Sequence, residues 1–242
     1  MRQIPNIITL TNLLLGCIAF VEVIQGRPVN AAMIIGLCSI MDYLDGAAAR
    51  LLKAWSPLGQ QLDSLADLVS FGVVPAAIIY QYLQNSVQSL NHGVAQIVLP
   101  GVAFFITVFS ALRLAKFNLE TRQEDDFKGL PTPANALLIA SVPFTLAFTS
   151  PDHPVHQALT VFTGSIAWLL GFTALVSWLM VSNIRMFSLK VKSFSWQQNK
   201  FRYVFLGGCL LLLVILGISA LPFFLIFYLL LSLVYHKSIK KN

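Results

Sequence analysis

Apolar residues gather into eight long stretches along the chain, separated by short polar breaks. They cover Asn6–Gln25, Val29–Lys53, Pro57–Leu83, Gly93–Phe117, Ala134–Ser150, Val155–Ile184, Tyr203–Ser219 and Ala220–His236. About 20 mostly apolar residues span the hydrocarbon core of a bilayer as a helix, so each stretch predicts a transmembrane helix. The fifth and the last two are short, and the sixth is long enough to tilt. The break between the seventh and eighth rests on length and on Pro222. The first stretch contains Asn6, Thr9, Thr11 and Asn12, and no small-residue cleavage site follows it. It therefore reads as a spanning helix rather than a cleaved signal. No repeat, low-complexity tract or soluble domain interrupts the pattern. The expected fold class is all-α: one polytopic membrane helix bundle of eight transmembrane helices over residues 1–242.

Charged positions inside these stretches change the picture. The chain has ten acidic residues, and four of them, Asp42, Asp45, Asp63 and Asp67, fall in the second and third stretches. An ionisable group in the membrane is costly and marks function by default. Asp42, Asp45, Gly46, Ala49 and Arg50 sit at i, i+3, i+4, i+7 and i+8, which places them on one helical face. Gly59, Asp63 and Asp67 repeat every fourth residue and share a face in the same way. Ser56 suits an N-cap and Pro57 the first helical position. A turn this short forces the two helices antiparallel. Counted from Trp55, Asp45 lies ten residues before and Asp63 eight after, while Asp42 lies thirteen before and Asp67 twelve after. The four carboxylates are thus expected to converge on one point, about 12–20 Å from the turn.

Ionised carboxylates this close repel one another. A hard divalent cation, or two, offsets the repulsion. Carboxylate oxygens suit Mg²⁺, Mn²⁺ or Ca²⁺, and no His or Cys is near enough in the pattern to suggest zinc. Such a site clamps phosphoryl groups. Gly46 and Ala49 leave room on that face for a bulky ligand, or for a tightly packed neighbouring helix. Arg50 ends the face with a fork suited to phosphate. His92, His153, His156 and His236 fall in loops or at helix ends and read as interfacial residues.

Composition and charge fix the setting. The chain is 57% hydrophobic and 11% charged, against roughly 25% charged in an average soluble domain. With the N-terminus in the cytoplasm, eight spans put 15 of the 16 Lys and Arg residues on the cytoplasmic side, and only Arg27 outside. That asymmetry satisfies the positive-inside rule and accounts for the net charge of +6 without nucleic acid. The basic segment 185–202 reads as a juxtamembrane loop attracted to anionic lipid. Cys17, Cys38 and Cys209 lie in apolar runs and read as small buried residues, with no disulfide expected.

The run Asp42-x2-Asp45-Gly46-x2-Ala49-Arg50-x8-Gly59-x3-Asp63-x3-Asp67 resembles the signature of the CDP-alcohol phosphatidyltransferase family, with no departure at a fixed position. Pro5-Asn6-x-Ile8-Thr9-Leu10, Leu62 to Gly72, Ala111 to Asn118 and Gly129 to Ala134 resemble its phosphatidylserine synthase branch. The similarity covers roughly residues 4–140. The resemblance implies an all-helical membrane enzyme, a homodimer in the cytoplasmic membrane, with its active site facing the cytoplasm. It would use CDP-diacylglycerol and an alcohol, L-serine in this branch, with two Mg²⁺ or Mn²⁺ ions, and release CMP.

Carried over, Asp42, Asp45 and Asp63 would hold the metals. Asp67 would be the general base and would also touch a metal. Asn6, Thr9, Gly46, Ala49, Arg50 and Gly59 would bind the CDP-lipid. Arg113, Lys116 and Asn118 are the candidates for binding serine, since a basic group at the end of the fourth helix can hold a carboxylate. Two rival readings are another acceptor (glycerol 3-phosphate, inositol phosphate or choline) and an ion transporter with an acidic midplane site.

Overall fold

The structure is a computed structural model and describes residues 3–88, 93–119, 127–186 and 196–239. It is helical almost throughout. In chain order the helices are α1 (Ile4–Ile24), α2 (Pro28–Leu51), α3 (Pro57–Asp67), α4 (Val74–Val87), α5 (Gly93–Gly101) and α6 (Phe105–Leu119). They continue as α7 (Thr132–Phe148), α8 (Pro154–Gly164), α9 (Ile166–Val181), α10 (Trp196–Leu216) and α11 (Leu221–Ile239).

The α2–α3 turn forms as its residues predict. Ser56 caps α3 by accepting from the Gly59 amide at 3.0 Å, and Pro57 opens the helix. A π-helical segment, Leu68–Val73, joins α3 to α4, so residues 57–87 form one continuous helical run of 31 residues. That run is the centre of the bundle, with 61% of its most apolar window buried against 28% in α1. Phe71, Ile78, Ile79 and Leu83 fill the core against Ile106, Ile139 and Leu169. Outward-facing Ile7, Leu14, Leu210 and Val214 are exposed, as lipid-facing residues are.

Two short connections stitch the helix ends together. Phe127–Lys128 pairs antiparallel with Arg185–Met186 as a two-stranded ribbon, β1 and β2. Gly129 follows at φ +75°, and a Cβ there would lie 2.3 Å from the Met180 carbonyl oxygen. Only glycine fits. The Gly129 and Leu130 amides donate to the carbonyls of Ile184 and Leu179, both at 3.0 Å, and this fixes where α7 begins.

All eight predicted stretches are helical over most of their length, but fewer qualify as spans. Among the described residues five helical runs are long and apolar enough to cross a membrane, or six if the bent α8–α9 pair counts as one. The reasons are geometric. Helix α7 has 17 residues, α8 and α9 meet at 90°, and residues 199–236 count as one run of 38. That last run folds back on itself: Phe201 packs on Tyr235 at 5.1 Å and Phe205 on Phe227 at 6.0 Å, around a turn at Gly217 with φ +56°. Arg2, Asn91, His92, Arg122, Lys190, Lys192, Lys240 and Lys241 lie outside the described residues, so the charge asymmetry is a property of the sequence.

Candidate active site

Helices α2 and α3 follow one another across the short turn, and α1 packs against both. This brings Asp42, Asp63 and Asp67 together: each offers one carboxylate oxygen, and the three atoms lie within 4.8 Å of one another. Asp67 is 8% exposed, and its Oδ1 is buried with no hydrogen-bond partner. A buried carboxylate oxygen without a donor is costly. A cation shared with Asp42 and Asp63 removes that cost, and oxygen-only ligands fit a hard divalent ion. The donor set therefore fits a hard divalent cation such as Mg²⁺, Mn²⁺ or Ca²⁺.

Asp45 departs from the expected convergence. It is buried beside the group rather than within it, and its Oδ2 accepts from Thr9 Oγ1 at 2.7 Å. The cause is α1, whose Thr9 lies against α2 at the depth of Asp45. Thr9, expected in the nucleotide pocket, thus also holds an aspartate. Asp45 remains within electrostatic range of Asp63 and Asp67.

All four aspartates line a single cavity of about 1780 Å³. Asn6, Thr9, Gly46, Ala49, Arg50 and Gly59 line it too. A Cβ on Gly46 would meet only Arg50 Nη1, at 3.6 Å. No neighbouring helix presses there, so this small residue opens the cavity instead of packing a helix. Gly59 differs: a Cβ there would lie 3.0 Å from Asn6 Oδ1 and 3.1 Å from Ser56 Oγ. Glycine lets the start of α1 approach the start of α3.

The cavity has two chemical halves. Polar side chains cluster towards the α2–α3 turn. Farther along α2, Met33, Leu37 and Ile40 give it an apolar wall, joined by Leu137 and Phe144 of α7. At about 1.5 Å per residue, Met33 lies roughly 18 Å along the helix from Asp45. A ligand with a charged head and a long apolar tail matches that layout.

The three candidates on α6 separate. Arg113 lines the cavity, is 9% exposed, and donates from Nη1 to Thr132 Oγ1 at 3.2 Å. Asn118 also lines it, but its amide bridges α6 to α3: Nδ2 donates to Ser64 Oγ at 2.8 Å, and Oδ1 accepts from Gln60 at 3.2 Å. Lys116 is exposed and is not among the lining residues. The histidines within the described residues have local roles at helix ends. His153 caps α8, His156 contacts the Thr149 carbonyl, and His236 accepts from the Arg185 amide.

Sequence reasoning missed Thr132, Gln60, Ser64 and Tyr228, all of which line the cavity. Thr132 sits in the stretch Gly129 to Ala134, which was singled out without a role. Tyr228 lies in an apolar run that carries no such signal.

Comparison with known proteins agrees with this geometry. A profile of the CDP-alcohol phosphatidyltransferase family matches residues 2–180. The chain is 35% identical over 184 residues to the CDP-diacylglycerol--serine O-phosphatidyltransferase of Helicobacter pylori (strain J99), covering 75% of this chain and 70% of that protein. It is 34% identical over 149 residues to the Bacillus subtilis protein of the same name, covering 60% and 77%. A Methanocaldococcus jannaschii protein, again of that name, is 33% identical over 136 residues, covering 56% and 58%.

Proposed function

The chain belongs to the CDP-alcohol phosphatidyltransferase family, and on that premise we propose that it transfers the phosphatidyl group of CDP-diacylglycerol to the hydroxyl of L-serine, giving phosphatidylserine and CMP. The observation that carries this reading is the unpartnered, buried Asp67 Oδ1 beside Asp42 and Asp63. It sits in a cavity that also holds the buried Arg113. The names of the relatives support serine as the acceptor.

The CDP-lipid lies with its tails along the apolar wall and its nucleotide against Asn6, Thr9, Gly46, Ala49, Arg50 and Gly59. Asp42, Asp63 and Asp67, with Asp45 beside them, would hold two divalent cations, Mg²⁺ or Mn²⁺. When bound, these ions supply positive charge at the pyrophosphate. Asp67 takes the proton from the serine hydroxyl. The serine oxygen bonds to the lipid-side phosphorus, the bond from that phosphorus to the CMP oxygen breaks, and CMP leaves with its charge held by Arg50. Arg113 grips the serine carboxylate. Choline has no anion to offer Arg113, which disfavours it; glycerol 3-phosphate and inositol phosphate do offer one, and against them serine is favoured by the names of the relatives.

The whole of residues 1–242 works as one membrane domain. It has eight spans, both termini and the α2–α3 turn in the cytoplasm, and functions as a homodimer. The test uses purified protein in detergent with CDP-diacylglycerol and Mn²⁺ or Mg²⁺. CMP release that requires both L-serine and metal, with phosphatidylserine formed, is the expected result. Release driven by glycerol 3-phosphate, inositol phosphate or choline would overturn the serine assignment. No release with any acceptor would overturn the reaction and leave the transporter reading.

A further inference from the structure

Arg113 is a buried cation whose hydrogen bonds are incomplete. Its Nε is buried and has no partner, and its Nη1 is held by the neutral Thr132 hydroxyl. Of the carboxylates lining the cavity, Asp67 lies within electrostatic range of the guanidinium, but it belongs to the metal-site group, so a ligand anion would complete the pairing of this desolvated cation.

One wall of the same cavity comes from the α10–α11 hairpin, which lies beyond the residues 2–180 matched by the family profile. Four of its lining residues are apolar: Phe205, Leu221, Phe224 and Leu225. Tyr228 is the one that brings a polar group. It is 5% exposed, and Phe205 holds its ring edge-on at 5.7 Å and 71°. Its phenol lies within electrostatic range of the Arg113 guanidinium. The phenol also pairs with the Ser232 hydroxyl one turn along α11, which can donate to it and leave the phenol proton directed elsewhere, and a hydrogen bond to a carboxylate is among the stronger kinds.

We infer that Tyr228 is a specificity-determining residue of the acceptor subsite. Its phenol O–H donates to the same acceptor carboxylate that Arg113 grips, and the apolar hairpin wall closes the subsite around it. The inference rests on the proposed transfer to an amino-acid alcohol and deepens it. The substrate class selected is a small alcohol bearing a carboxylate. A site built to hydrogen-bond a substrate group rejects analogues that lack the group. Ethanolamine, which keeps serine's hydroxyl and ammonium but has no carboxylate, is the informative analogue.

The experiment compares full-length wild type with Tyr228→Phe in detergent, with L-serine or ethanolamine as acceptor. The expected result is a rise of about ten-fold in KM for serine, the scale of one hydrogen bond to a charged group. The preference for serine over ethanolamine should shrink by the same factor, with KM for CDP-diacylglycerol and Tm unchanged. A rise in the CDP-diacylglycerol KM with a fall in Tm would reveal a purely structural role and overturn the inference. An unchanged serine KM would overturn it while leaving transfer to serine standing. A wild type that makes no phosphatidylserine would overturn the parent reading, so the two failures are distinguishable.

Discussion

Thr9→Val removes one hydroxyl and little volume, and it tests how Asp45 is held. Thr9 is 4% exposed and Asp45 is 5% exposed, so the 2.7 Å bond between them is shielded from water. A hydrogen bond to a charged group contributes about 1.5–3 kcal/mol. At about 1.4 kcal/mol per decade, its loss corresponds to roughly ten- to a hundred-fold in an equilibrium constant. If Asp45 is a metal ligand, Thr9 orients that ligand, and outer groups of this kind change metal affinity by about 10–100-fold. The expected outcome is a Mn²⁺ requirement raised by at least about ten-fold, read as turnover against free Mn²⁺ and independently as Mn²⁺ binding by calorimetry. Thr9→Ser, which keeps the hydroxyl, should restore it. If Thr9→Val leaves Mn²⁺ binding untouched and raises only the KM for CDP-diacylglycerol, the reasoning is refuted and Thr9 contacts the nucleotide instead.

Other substitutions separate the remaining roles. Asp67→Asn should fold and bind CDP yet lose about 10²–10⁴ in kcat, the usual contribution of a positioned base; near-normal turnover in a single-turnover assay would sink the base assignment. Gly46→Leu should fill the cavity and raise the KM for CDP-diacylglycerol with Tm unchanged, because no helix presses on that position. Gly59→Ala should lower stability by about 1 kcal/mol, since its methyl crowds Asn6 and Ser56; thermal unfolding in detergent distinguishes the pair, and the opposite pattern would refute the division between them. Arg113→Ala should raise the serine requirement more than the CDP-diacylglycerol requirement, and equal dependence on both would remove it from the acceptor subsite.

Much of this site was legible in the sequence because it is local. Asp42, Asp63 and Asp67 meet through helical periodicity and one capped turn, and both follow from spacing. The separate holding of Asp45 was not legible. It depends on where α1 crosses α2, a tertiary contact between residues 36 apart. Lys116 and Arg113 look alike as basic residues at the end of a helix, yet only the orientation of α6 decides which faces the cavity. Tyr228 was hidden for another reason: in the run from Leu221 to Tyr235, apolar on every face, no periodicity tells a cavity wall from a lipid-facing surface. The number of spans was blurred by the 90° bend at Ser165 and by the tight hairpin at Gly217.

The π segment Leu68–Val73, directly after Asp67, has a consequence for how the central helix can change over time. Each i→i+5 turn holds one residue more than an α turn, so it resets the phase between the helix before it and the helix after it. Asp63 and Asp67 can face the metal site while Ile78, Ile79 and Leu83 face the core, with neither set compromising for the other. Mutational drift in the packing half of this helix is thereby decoupled from the aim of its carboxylates. Deleting one residue of the segment can be absorbed by its return to α geometry, whereas deleting one from the α part on either side would turn the two halves against each other by about 100°.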